Sequence, residues 1–150
     1  MNKVAISFKG CPRPTWLSEC RRFVRMVLKR LGLCNWELSI LFCDDNTSQR
    51  LNAIFRHKDY PTDVLAFPQL GIPKPEAEMG VLAGDIVISL DRLRLNAKIY
   101  QVKEGEELKR LLVHGILHLA GYDHLSCKAT EPMLQEQEKI LSELKGERIF

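Results

Sequence analysis

Apolar and polar positions change period several times along the chain, and each change predicts an element. Val4, Ile6 and Phe8 alternate with small or polar residues, the two-residue period of a half-buried strand, and Gly10 with the turn from Pro12 to Pro14 closes it. Thr15 is placed to cap a helix, in which Trp16, Cys20, Phe23, Val24, Val27, Leu28 and Leu31 recur at helical spacing until Gly32 supplies a stop. Trp36, Leu38, Ile40 and Phe42 alternate again as a second strand, broken by Asp44 to Thr47. A short helix follows through Leu51, Ile54 and Phe55, ending at Arg56 and His57, and Asp63 to Phe67 forms a third strand stopped by Pro68. Residues 68 to 80 hold three prolines and two glycines and predict an exposed loop, either a lid or a long hairpin connection. The fourth strand runs from Leu82 to Ser89, interrupted at Gly84 and Asp85 where a backbone comes close to something. Three helices complete the chain: Arg92 to Tyr100, Glu104 to Leu119, and Glu131 to Leu144 with Pro132 tolerated in its first turn.

Composition changes little in this picture. A chain of 150 residues, 45% hydrophobic and 27% charged, suits one globular domain with a full core and needs no second domain. A net charge of +3 permits an anionic partner such as RNA, but an imbalance this small is ordinary and decides nothing alone. The face of the first helix that carries Arg21, Arg22, Arg25, Lys29 and Arg30 is either a phosphate-contacting surface or a solvated helix face. Five cysteines form an odd set with no C-x-x-C pair, which indicates neither a disulfide framework nor a cysteine zinc knuckle and fits a reducing compartment. No charged-then-apolar leader pattern opens the sequence, and no apolar run approaches the about 18 residues that span a bilayer, so a cytoplasmic protein is expected.

Candidate chemistry concentrates in His114 to His124, HGILHLAGYDH, which carries three of the four histidines. His114 and His118 stand one helical turn apart on the same face and can converge on one metal ion. Gly121 can adopt a positive φ, end the helix and return the chain so that His124 reaches the same point. Three neutral imidazoles leave one zinc-like ion with an open coordination position and its charge uncancelled, which describes a catalytic site better than a closed structural one. Scattered core or surface histidines are the bland alternative, and imidazole also suits nickel, copper and iron.

That stretch, together with LNAIFRHKDYPTDVLAFP at residues 51 to 68 and LAGDIVIS at 82 to 89, resembles the bacterial YbeY proteins, metal-dependent endoribonucleases of rRNA maturation, over nearly the whole chain. The resemblance implies a single α+β domain over residues 1 to 150, with a four-stranded mixed sheet packed against several helices and a metal site on a helix-turn in a cleft. It implies a Zn2+ ion held by His114, His118 and His124, and places Arg56 beside His114 in the catalytic set. Its expected partners are single-stranded RNA, the rRNA of the small ribosomal subunit and ribosomal proteins, in 3′-end maturation and ribosome quality control. Ala66 departs from the family's usual serine and removes one hydroxyl near the cleft.

The residues themselves keep other readings open. The spacing H-x-x-x-H-x-x-G-x-x-H is also that of metzincin peptidases, in which a glutamate after the first histidine acts as general base. Here that position is Gly115, which argues against peptide hydrolysis. Phosphodiester cleavage depends less on one carboxylate, because a metal ion can lower the pKa of bound water from 15.7 to about 7 and neutralise phosphoryl charge. Arg56 offers a phosphate a planar, permanently charged fork, unless it is held in an ion pair with Asp59, Asp63 or Asp85. Asp123 and Asp85 are candidates to orient a ligand imidazole or accept a proton. His57 reads as a surface histidine, Cys127 as a free thiol and Met133 as helix-core packing. A metallohydrolase of peptides or small molecules, and a zinc-stabilised RNA-binding protein of ribosome assembly, remain the alternatives.

Overall fold

Strands β1 (Lys3–Lys9), β2 (Trp36–Cys43), β3 (Val64–Pro68) and β4 (Val81–Ser89) form one sheet in the order β1-β2-β4-β3 in the computed structural model, which describes residues 1–69, 80–124, 126, 128 and 130–150. β1, β2 and β4 run parallel and β3 pairs antiparallel with β4, giving the mixed sheet of an α+β domain. The loop expected over residues 68 to 80 falls mostly outside the described residues.

Register aligns the alternating apolar positions into one face. Val4 stands opposite Leu38, Ile6 opposite Ile40, Ile40 opposite Ile86, and Ala66 opposite Ile86 on the other side. That face is covered by α1 (Leu17–Arg30) and α4 (Glu104–Leu119), with α3 (Leu90–Tyr100) and α5 (Pro132–Glu143) against α4, while α2 (Asp45–Arg56) packs on the other face, where Leu51 meets Cys43, Leu65 and Val87. α4 is the central helix. Its Leu108, Leu111, Leu112, Val113, Ile116, Leu117 and Leu119 are almost wholly buried, so it meets the sheet, α1, α3 and α5 together. Burial of this many aliphatic side chains, each contributing on the order of 1.5–3 kcal/mol, fixes the helix before any metal is considered.

Three expectations are corrected. Thr15 does not cap α1: the N-cap position is Trp16, with no side-chain hydrogen bond, and its indole packs edge-on against Phe42 instead. α3 begins earlier than the apolar period suggests, because the Ser89 hydroxyl accepts from the Arg92 amide at 3.2 Å and caps it. β4 is not interrupted but bulged, with the register stepping over one residue as Glu37 and Leu38 pair with Leu82 and Gly84. Gly84 has φ 134°, and a Cβ there would collide with the Phe67 carbonyl oxygen and lie 3.0 Å from Leu119 Cδ2. The close approach read from the sequence is thus β3 backbone against β4.

The basic face of α1 is partly engaged within the chain. Arg21 and Arg25 donate to the carbonyls of Val4 and Asn2, Arg22 pairs with Glu147, and Arg30 pairs with Glu136 and Glu143. Four of its five cations thus meet the N-terminal residues, α5 and the C-terminal segment, while Arg22, Arg25 and Lys29 stay exposed on a solvated face. No helix among the described residues is long and apolar enough to cross a membrane.

Candidate metal centre

α4 sets the first two histidines. Its apolar side is locked into the core, which leaves His114 and His118 half-buried on the flank that faces the edge strand β3. The helix ends at Ala120, and Gly121 takes φ 96°, donating to the His118 carbonyl at 3.0 Å while the Tyr122 amide donates to the Leu117 carbonyl at 2.9 Å. This paired closure is what a glycine past a helix end provides. The chain then reverses, and the Asp123 carboxylate accepts from the His124 amide at 2.8 Å. One nitrogen from each of His114, His118 and His124 lies within 4.8 Å of the others. Sequence spacing and fold agree on this trio.

Hydrogen bonding fixes which nitrogens converge. His118 Nδ1 lies 3.1 Å from the Tyr122 carbonyl and His124 Nδ1 lies 2.9 Å from the Ser126 carbonyl. A carbonyl only accepts, so both rings carry their proton on Nδ1 and present an Nε2 lone pair. His114 Nδ1 is 2.7 Å from Gln137 Oε1, and its Nε2 is 3.2 Å from the His118 Nε2. Two unprotonated nitrogens that close repel, whereas one cation between them satisfies both. Burial holds His114 and His118 below the ordinary imidazole range; Gln137 opposes this at His114 and the Asp123 carboxylate opposes it at His118. The neutral, ligating form is therefore favoured at neutral pH. Three imidazole donors with fixed tautomers fit a zinc-like ion and leave a coordination position for a further group.

Neither aspartate singled out in the sequence orients a ligand ring. Asp123 is engaged with the backbone of its neighbour, and Asp85 lies on the far face of the sheet with Ser39 and Gln69. The orienting groups are two backbone carbonyls and Gln137. Gln137 was legible only as a polar residue set between Met133 and Ile140 on the buried stripe of α5. Cys127 lies outside the described residues. Met133 is core, and His57 is exposed at the left-handed C-cap of α2.

A cleft of about 550 Å3 opens beside the histidines, between β3, the end of α2 and the end of α4. Arg56, the last residue of α2, lines it together with His114 and His118. Its Nη2 donates to the Ala66 carbonyl at 2.6 Å and its guanidinium lies 5.4 Å from the centroid of the Phe67 ring. Among the described residues it meets no carboxylate. Asp59 accepts from Gln49, Asp63 from the Val64 amide and Asn96, and Asp85 from Ser39, so the three candidate ion-pair partners are engaged elsewhere. The segment after Arg56 is held by two buried polar residues that the apolar pattern did not reveal. Asn52 donates to the Tyr60 carbonyl at 2.9 Å, and Ser48 bonds both the carbonyl and the amide of Thr62. They occur four apart on α2, a polar stripe where an apolar one was expected. Ala66 lines the cleft as read from the sequence, with its backbone carbonyl rather than a hydroxyl as the polar group used.

Gly115 does not face the cleft. A Cβ there would lie 3.0 Å from two carbons of Ile86, so the position is the contact between α4 and the sheet. A glutamate at 115 would enter the core rather than reach a substrate, and the peptidase arrangement is sterically closed to this helix. Gly115→Glu is expected to destabilise the fold by more than about 3 kcal/mol, because it buries a charge without a partner. Thermal unfolding checks this, with a Tm lowered by about 6 °C or more for a chain of this size. A wild-type Tm would mean that α4 sits differently on the sheet.

Comparison with known proteins agrees with the geometry. The family model described as Endoribonuclease YbeY matches residues 7–145. The Endoribonuclease YbeY of Treponema denticola is 47% identical over 152 residues, covering 99% of this chain and 97% of the relative. That of Persephonella marina is 37% identical over 147 residues, covering 97% and 95%. A solution structure from Thermotoga maritima superposes with a TM-score of 0.67 at 27% identity, over 96% of this chain and 90% of that one.

Proposed function

The chain belongs to the YbeY family of endoribonucleases, and on that premise we propose that it is a zinc-dependent, single-strand-directed endoribonuclease of the cytoplasm. Its substrate in this reading is the 3′ end of small-subunit rRNA, met alone or with ribosomal proteins during maturation and quality control. The observation that carries the reading is the convergence of three Nε2 lone pairs beside an arginine that has no carboxylate partner among the described residues, in one open cleft.

His114, His118 and His124 would hold the ion, which when bound supplies Lewis-acid chemistry to a phosphodiester. Arg56 contributes the fixed positive charge. With one nitrogen tied to Ala66 and its Cζ over the Phe67 ring, it approaches a phosphate already oriented, so less rotamer freedom is lost on binding. Lys58 lines the same cleft and adds a second cation. Tyr60 and Tyr122, 53% and 38% exposed on its walls, offer ring faces to bases that are not already stacked in a helix. Asp123 also lines the cleft and Asp85 is absent from its lining, which favours Asp123 over Asp85 as the proton acceptor in this reading.

The test uses purified full-length protein on a single-stranded RNA and on the same sequence in duplex. Cutting of the single strand is expected, lost with chelator and restored by zinc, while the chelated protein keeps a cooperative unfolding transition because its core closes without the ion. Chelation that unfolds the protein and leaves only RNA binding would favour a structural zinc. Release of peptides under the same conditions would favour a peptidase.

A further inference from the structure

We infer that Gln137 is a positioning residue for the metal centre, one that fixes the His114 tautomer and, being neutral, adds no negative charge beside it. The inference rests on reading the cleft as a metal-dependent nuclease site. Gln137 belongs to α5 and is 3% exposed, between Met133 and Ile140, which are wholly buried. A carboxamide on such a stripe costs free energy unless it is hydrogen-bonded, and an aliphatic residue would pack there without that cost. What the polar group gains is the 2.7 Å contact between its Oε1 and His114 Nδ1.

His114 needs a side chain for this purpose where the other two histidines do not. His118 and His124 lie at and beyond the end of α4, where the carbonyls of Tyr122 and Ser126 are free of helix hydrogen bonds and can accept. His114 lies inside the helix, where carbonyls are committed to amides one turn on. Its acceptor has to come from a neighbouring helix, and α5 supplies it. The direction of the bond matters. If the Gln137 amide nitrogen faced Nδ1, it would donate, the ring proton would move to Nε2, and the lone pair aimed at His118 and His124 would be lost. Only the carbonyl orientation leaves His114 able to ligate.

A glutamate at 137 would orient the ring equally well, and carboxylate partners of this kind raise the basicity of a ligating imidazole. It would also place an anion one imidazole away from a site that accepts a phosphodiester. With a carboxamide and two backbone carbonyls as the Nδ1 partners, the groups that orient the three rings add no negative charge of their own, and the Asp123 carboxylate that lines the cleft is engaged by the His124 amide.

The inference is tested with Gln137→Leu and Gln137→Glu in the full chain. Zinc affinity is read by competition with a chromophoric chelator, ring tautomers by 15N NMR of the zinc-free protein, and kcat and KM on single-stranded RNA. Gln137→Leu should weaken zinc binding by about 10–100-fold, the usual cost of losing a partner of a ligating histidine. It should also leave the His114 ring as a tautomer mixture while His118 and His124 stay protonated on Nδ1. Gln137→Glu should restore the Nδ1-protonated ring and bind zinc at least as tightly as wild type, yet cleave RNA more slowly. Wild-type zinc affinity with an unchanged His114 tautomer in the leucine variant would overturn the inference. So would a glutamate variant that binds zinc more weakly than wild type, a result available even where the leucine variant fails to fold. A wild-type protein that binds no zinc would sink the nuclease reading instead, while the zinc-free tautomers still judge Gln137.

Discussion

His118→Ala is expected to leave the purified protein without stoichiometric zinc and to lower RNA cleavage by more than the about 100-fold that loss of an outer hydrogen-bond partner costs a metal site. Two of three Nε2 donors would remain, and the side chain removed is half-buried at the end of α4, where its ring meets His114, His124 and the Tyr122 carbonyl. Alanine is also the best helix former, so the last turn of α4 should persist. The variant should therefore unfold within about 1 kcal/mol of zinc-free wild type. Zinc should raise the Tm of wild type by mass action and leave that of the variant unmoved. Metal content, cleavage rate and Tm with and without zinc are the three readouts. Undiminished cleavage by a zinc-free His118→Ala protein would assign the activity to a contaminating nuclease. His57→Ala is the matched control, since that histidine is exposed at the end of α2 and should change none of the three.

What the sequence could show depended on whether a residue's partners were near it in the chain or were the core as a whole. β2 was legible because one of its faces is buried throughout, so Trp36, Leu38, Ile40 and Phe42 record the sheet in a strict alternation. The bounds of α4 were legible for the same reason, and the histidine trio because two ligands share a helix face and the third follows a glycine. The cap of α3 was hidden because Ser89 belongs to the apolar run of β4 until its hydroxyl turns to the next helix. The partners of Arg22 and Arg30 on α1 are Glu136, Glu143 and Glu147, which lie over a hundred residues away. Ser48, Asn52 and Gln137 share one lesson. A polar residue on an otherwise buried helix stripe looks like noise in a periodicity, yet each holds a loop or a ligand by a hydrogen bond whose other end is in a different segment.

Arg56→Ala is the complementary experiment, expected to lower cleavage by about 10²–10³-fold, the usual loss when one fixed donor to a developing oxyanion is removed, with zinc content unchanged. The separation from His118→Ala is what makes the pair informative, because Arg56 touches Ala66 and Phe67 and makes no hydrogen bond to a histidine. Loss of its bond to the Ala66 carbonyl should cost about 1 kcal/mol of stability or less, since that carbonyl borders an open cleft and water can replace the donor. Arg56→Lys should recover only part of the rate. It returns the charge, but an ammonium lacks the fork that grips two phosphate oxygens. The lysine variant should therefore bind RNA more nearly like wild type than it cleaves it, with kcat reduced more than KM is raised. Full activity in a zinc-loaded Arg56→Ala protein would reduce the residue to a tie between α2 and β3, and the phosphate would then have to be gripped by the ion and Lys58 alone. The geometry speaks against that outcome, because Asp59, Asp63 and Asp85 are each engaged elsewhere while the guanidinium beside the three histidines meets no described carboxylate. A structural tie would gain from a carboxylate partner, whereas a phosphate clamp requires that the position beside the cation be kept for the substrate.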